Sequence, residues 1–294
     1  MKNKINEIIS NKISRKENLS TVKKHFIRKF LSQNSSQFLD SGFKSMAVYA
    51  FDYIGYTILI DGVYEIRELN LIKDFIKLEF PSAVEGLCID AGANIGNHSV
   101  FFGKIFKRVF SFEPNPKVYK LLEVNTFENE NIETFNFGLS SQAKEVNLYC
   151  DELNLGGSSQ EVQESLNKVT VKMEKLDDID FNDEKVNFIK IDVEGHEIQL
   201  LEGAKKTIQK HKPIIAFEQH TFDFIEGTSD SIEFLRKCGY KKFYVTKTYP
   251  KFLSHLPFKN FFTGIFGVIF GTRKSLVLEH DFEPNFYPLI IATQ

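Results

Sequence analysis

The chain has 294 residues with 42% hydrophobic content, and 37 Lys and Arg stand against 39 Asp and Glu for a formal net charge of −2. That length suits one large α/β core with an appendage, and the charge leaves no basic excess to displace counterions from phosphates, so no nucleic-acid partner is expected. No apolar run of bilayer-spanning length occurs, the N-terminus lacks a signal-peptide core, and Cys88, Cys150 and Cys238 form no C-x-x-C pattern, which together predict a reduced, cytoplasmic protein without a membrane span.

Residues 1 to about 45 are polar, with apolar positions at Ile5, Ile8, Ile9 and Ile13 and again at Val22, Phe26, Ile27, Phe30 and Leu31. The spacing predicts two short amphipathic helices that pack outside the core, or alternatively serve a homodimer contact or gate an acceptor. From Met46 to Glu65 the chain turns aromatic and β-branched, and Tyr56 to Ile60 followed by Asp61-Gly62 predicts a hairpin. A helix over about 66–79 leads to Pro81. Residues 1–80 thus read as a helical and hairpin extension, and 81–294 as the main domain.

Within that domain, strands are expected at 87–90, 109–112, near 133–138, 186–191 and 213–218. Helices are expected at 97–107, 116–127, 197–210 and 230–237. A meander covers 144–150 and 169–173, and a final strand runs from Phe286 to Ala292. Residues 250–275 interrupt the pattern with a Phe-rich insertion (Phe258 to Phe270) that reads as a buried helix or an acceptor-side lid. Alternating short strands and helices imply a mostly parallel sheet with helices on both faces, which binds ligands at the carboxyl ends of its strands. Asp90, Glu113, Asp192 and Glu218 all fall at such ends.

The turn after the first strand reads Asp90-x-Gly92-x-Asn94-x-Gly96, and Glu113-Pro114 closes the next strand. A strand, a glycine turn, a helix and a second strand ending in an acid can hold the ribose of an adenosine-containing cofactor, with Glu113 accepting both hydroxyls. A dinucleotide fingerprint would carry a glycine where Asn94 stands. The Asp90 carboxylate repels a diphosphate and attracts the sulfonium and amino group of S-adenosylmethionine (SAM), so SAM is favoured over NAD. Asn97 is placed to cap the following helix, and His98 to reach the cofactor carboxylate or the acceptor. The alternative is a tight turn in another α/β protein, with Asp90 as a helix cap.

Asp90 to Gly96, Phe112 to Pro116, the Leu176-Asp177-Asp178 turn and Ile189 to Glu197 together resemble the FkbM family of SAM-dependent methyltransferases, over about residues 58 to 220. Val63 to Glu65 is similar to a small motif that precedes the family's first core strand. The resemblance implies a class I Rossmann-like methyltransferase fold with a seven-stranded sheet. It also implies O-methylation of a hydroxyl on a sugar or a polyketide-type product, and it sets the glycine-serine run at Gly156 and Gly157 beside the cofactor. A carbohydrate acceptor, nucleotide-linked or polysaccharide-derived, is the leading expectation. The alternatives are another small-molecule hydroxyl or nitrogen, or an inactive SAM-binding partner in a glycan-assembly complex.

Methyl transfer requires an acceptor oxygen aligned with the donor and relieved of its proton. Asp192 is best placed to face the methyl group, with Glu194, His196 and Glu197 within one turn after it. Two mechanisms compete. In one, His196 or Asp192 is the general base and Lys190 tunes the nearby carboxylates. In the other, Asp192 and Glu218, with His220 as a further ligand, hold Mg2+ or Mn2+ on which the hydroxyl is acidified.

Overall fold

A strand covered on both faces reads as an unbroken apolar run, and the centre of this chain is built from such strands. The computed structural model describes residues 16–40, 45–50, 52–151, 154–159, 167–225, 228–250 and 272–294. It divides into two compact units, Met1–Tyr64 and Glu65–Gln294.

The first unit holds α1 (Lys16–Asp40) and α2 (Tyr53–Asp61). The helix over the second apolar group is thus longer than the short one expected there; the first group lies outside the described residues. The expected hairpin is instead the helix α2. Asp61-Gly62 ends it, with Gly62 at φ 84° and its N–H donating to the Ile58 carbonyl at 2.8 Å. A glycine free to take positive φ serves a hairpin turn and a helix C-terminus equally, so the dipeptide does not discriminate between them. Packing decides: Ile58 is buried, the Phe38 ring lies against Gly62, and the Asn34 side chain donates to the Ile60 carbonyl at 3.2 Å.

The second unit opens with α3 (Ile66–Glu79), which buries Leu69, Ile72, Phe75 and Ile76 along one face. Expected as part of the N-terminal extension, it belongs to the larger unit, with the Phe75 ring tilted against that of Tyr244 at 4.8 Å. In chain order follow β1 (Leu87–Ala91), α4 (Asn97–Gly103), β2 (Arg108–Phe112), α5 (Pro116–Thr126), β3 (Ile132–Phe135), β4 (Gly138–Leu139), β5 (Lys144–Asp151), β6 (Asn154–Ser159) and β7 (Asn167–Glu174). Then come β8 (Val186–Ile191), α6 (Glu197–Gly203), α7 (Lys205–His211), β9 (Ile214–Gln219), β10 (Phe224–Ile225), β11 (Thr228–Ser229), α8 (Asp230–Lys237), β12 (Lys242–Pro250), β13 (Thr272–Glu279) and β14 (Tyr287–Thr293).

The main sheet runs β13-β12-β14-β9-β8-β1-β2-β3, parallel from β9 to β3 and antiparallel beyond. The fold is therefore α/β with a mostly parallel central sheet, as expected. It has eight strands where seven were anticipated, because Thr272–Glu279 pairs with β12 out to Pro250↔Thr272. The Phe258–Phe270 segment lies outside the described residues. Ile89, Phe110, Phe112, Ile189, Ile215 and Phe217 are buried in the core beside the sheet, each contributing about 1.5–3 kcal/mol of burial.

Two local departures have physical causes. The helix expected over 197–210 breaks at Ala204, because the Asp177 carboxylate accepts from the amides of Lys206 and Thr207 and so starts a second helix. The glycine-serine run, a composition usual in turns, is itself strand β6, paired antiparallel with β5 at Tyr149↔Ser159.

Candidate active site

The parallel arrangement sets the carboxyl ends of β2, β1, β8 and β9 side by side, which brings Glu113, Asp90, Asp192 and Glu218 to one edge of the sheet. Asp90 and Lys190 are register partners on β1 and β8. The Lys190 Nζ donates to the Gly92 carbonyl at 3.1 Å and lies 3.1 Å from Asp192 Oδ2 and 3.4 Å from Asp90 Oδ1. Burial works against the ammonium, yet Asp192 and Asp90 together hold its pKa above the ordinary lysine value. Burial likewise opposes ionisation of Asp192, and Lys190, then His98, outweigh it and keep that carboxyl below its ordinary value. Asp90 is fully buried and accepts from Ser99 Oγ at 2.6 Å. It underlies the turn and braces Lys190.

Gly92 is required by a close approach. Its φ is 76°, and a Cβ there would sit 1.8 Å from the Asp192 carbonyl oxygen, so a side chain would push the two turns apart. Its N–H bonds the Phe112 carbonyl at 3.1 Å, which ties the turn to β2. Asn94, at φ 50°, donates its N–H to Glu113 Oε2 at 3.1 Å, and the Asn115 N–H reaches Oε1 at 2.8 Å. Asn115 in turn caps α5 by accepting from the Lys117 amide at 3.0 Å, ahead of Pro116 in the first turn. Burial pushes the Glu113 carboxyl up to about 7 against the pull of both amides and Lys190. Each carboxylate oxygen keeps a lone pair for a further donor. Helix α4 starts from Gly96, at φ 91°, so the capping position expected of Asn97 falls one residue earlier; Asn97 is buried in its first turn.

A cleft opens here, lined by Glu65, His98, Lys190, Asp192, Glu218 and Leu289 among others. His98 Nε2 stands 3.3 Å from Glu65 Oε2. Burial, then Asp192 and Glu194, push Glu218 up to about 8, and its Oε1 lies 3.2 Å from His220 Nε2. The His220 ring stacks on Phe222 at 4.8 Å and 8°, with Phe286 at 5.1 Å. Burial raises Glu197 to about 7 and Glu194 to about 6.

His196 is not among the residues lining the cleft. It starts α6 and its Nε2 pairs with Ser140 Oγ at 2.9 Å, and burial and then Lys144 lower its pKa to about 4. The positive φ values of Glu194 and Gly195 re-aim the chain between Asp192 and His196. Nor do Asp192, Glu218 and His220 form a metal centre: among the described residues no group of three His, Cys, Asp or Glu side chains is placed to hold an ion. The oxygen that Asp192 would offer faces the Lys190 ammonium, and Glu218 faces His220, so a divalent cation would meet like charge at the first position. Sequence reasoning missed Ser99, for which the spacing carries no signal, and the place of Glu65 in the cleft, for which the short motif at Val63 to Glu65 was one.

A family model described as "Methyltransferase FkbM domain" matches residues 90–242 of the chain. The hexuronic acid methyltransferase AglP of Haloferax volcanii is 29% identical over 154 residues, 51% of this chain and 63% of that protein. Methyltransferase sdnD of Sordaria araneosa is 29% identical over 153 residues, 39% of this chain and 59% of that protein. The chain spans less than two thirds of the length of either relative. A crystal structure of methyltransferase FkbM from Methylobacillus flagellatus is 17% identical, with a TM-score of 0.39 over 75% of this chain and 48% of that one.

Proposed function

The chain belongs to the FkbM methyltransferase family, and from that premise we propose that it is a SAM-dependent O-methyltransferase acting on a carbohydrate hydroxyl. The observation that carries the reading is Glu113, whose carboxylate is fixed by two backbone amides beside the Gly92 turn and keeps acceptor capacity for a ribose diol. Bound SAM would supply a methyl group already activated on a sulfonium. Glu113 would hold the ribose, and the 92–96 turn would contact the remainder through its backbone. Lys190 keeps Asp192 ionised and fixed, so that this carboxylate can accept a hydrogen bond from the acceptor hydroxyl and orient its oxygen. Glu218, raised to about 8, has the proton affinity suited to take the hydroxyl proton at a carboxylate oxygen near neutral pH.

A carbohydrate is favoured over other acceptors by the resemblance to a hexuronic acid methyltransferase and by the rings at the edge of the site. Phe222 is 71% exposed, stacked on His220 and 3.8 Å from where a Cβ on Gly195 would lie. Such a platform suits the apolar face of a pyranose. Phe222→Ala is expected to raise the acceptor KM about tenfold with S-adenosylhomocysteine (SAH) affinity unchanged, since a stacking contact is worth about 1–1.5 kcal/mol. An unchanged KM would remove Phe222 from acceptor binding.

The reading is tested by calorimetry with SAH and by transfer of labelled methyl from SAM to a panel of hexuronides and neutral sugars. SAH at 100 times its Kd is expected to stabilise the fold by about 2.7 kcal/mol. Ribose hydroxyls favour the ionised carboxylate, and Glu113 titrates near 7 without ligand, so affinity should be greatest above that value. It should weaken by up to about tenfold per pH unit below it. Binding of NAD without SAH would end the proposal, and SAH affinity flat across this range would remove Glu113 from the ribose.

A further inference from the structure

Every residue from Thr21 to Phe30 in α1 is exposed. Within that stretch Val22, Phe26, Ile27 and Phe30 are 57%, 66%, 57% and 50% exposed, an unusual amount of bare apolar surface for one helix. Val22, Phe26 and Phe30 follow one another at four-residue spacing and form a stripe along the helix, with Ile27 beside it. The same ten residues contain Lys23, Lys24, Arg28 and Lys29 and no acid, although the chain as a whole carries a net charge of −2. The C-terminal part of α1 is anchored by Asn34 and Phe38 against α2, so the basic, apolar end is the part that no element among the described residues covers.

We propose that this end of α1 is an interfacial helix that lays its apolar stripe into an anionic lipid surface. The helix is not long and apolar enough to cross a bilayer, and a helix with a bare apolar stripe and basic residues along its other faces binds in the plane of the headgroups. Lys29 and Lys23 flank the stripe, where their ammonium groups can snorkel to the phosphates while their stems remain in apolar surroundings. A second copy of the chain is the weaker occupant, because it would bring the same unbalanced cations into contact with these. The catalytic reading is independent of this surface.

The test is co-sedimentation of the full chain with phosphatidylcholine vesicles, with and without about 30% phosphatidylglycerol. Binding is expected only with the anionic lipid, and about 0.5 M salt should abolish most of it. The double changes Lys23→Glu with Lys24→Glu and Phe26→Ser with Phe30→Ser should each weaken binding tenfold or more, with circular dichroism and SAH binding unchanged. Absence of binding to anionic vesicles overturns the proposal, as does binding that both double variants retain. A dimer in solution that Phe26→Ser with Phe30→Ser dissociates, without vesicle binding by the parent, would assign the stripe to a second copy instead.

Discussion

Lys190→Met is expected to lower the unfolding free energy by about 3–5 kcal/mol, the range for removing one partner from a buried ion pair. The ammonium serves Asp90, Asp192 and the Gly92 carbonyl together, and Met fills its volume without replacing any of these contacts. Asp90, fully buried, keeps the Ser99 hydroxyl as a hydrogen-bond donor but loses its cationic neighbour. The loss should depend on pH. Because the Asp192 carboxyl is held below its ordinary value of 3.8, its share of the stability is present above that value and disappears as the pH falls through the lower folded one. Urea unfolding at neutral pH and near pH 3 measures both effects. A difference below about 1 kcal/mol at neutral pH would mean that the ammonium is not what holds the two turns together.

Asp192→Asn is expected to reduce turnover about a hundredfold or more while leaving SAH affinity close to the parent value. The amide is nearly isosteric and lacks the charge that Lys190 maintains, so the acceptor hydroxyl loses an anionic hydrogen-bond acceptor at the moment its oxygen attacks. Lys190 still has Asp90 as a partner, so the fold should survive. Single-turnover kinetics and calorimetry separate the outcomes. A parallel fall in SAH affinity would make Asp192 a cofactor ligand, and an unchanged rate would leave the proton to Glu218 alone.

Much of the central sheet was legible because buried parallel strands write themselves as apolar runs, and because acids stand where those runs stop, at Asp90, Glu113, Asp192 and Glu218. Glu113-Pro114-Asn115-Pro116 was readable as a strand end followed by a helix start. The helix Tyr53–Asp61 was not, since Tyr, Thr and Ile favour a strand in isolation and only packing against Phe38 and the burial of Ile58 reverse that preference. His196 shows a different limit. Four residues along the chain from Asp192 is close in sequence, but two consecutive positive φ angles intervene and hand the ring to Ser140. The metal set is unsupported for a third reason: spacing locates carboxylates at neighbouring strand ends but does not reveal that Lys190, on β8 just before Asp192, lies 3.1 Å from that carboxylate and supplies the positive charge there.

The bond from Lys190 to the Gly92 carbonyl joins residues 98 apart in the chain, and this has a kinetic consequence. Strand β8 enters the sheet between β1 and β9 only after three earlier strands and a separate four-stranded sheet have been made. Closing so long a loop incurs its entropic cost before any contact rewards it, which places such pairings late in folding. The glycine turn and Glu113 can form from local sequence, but the carboxylate opposite them arrives with β8. An N-terminal fragment ending before Val186 would therefore contain the glycine turn and Glu113 and still lack the lysine that braces them. During refolding, affinity for SAH should emerge with the slowest phase rather than with the first appearance of helix.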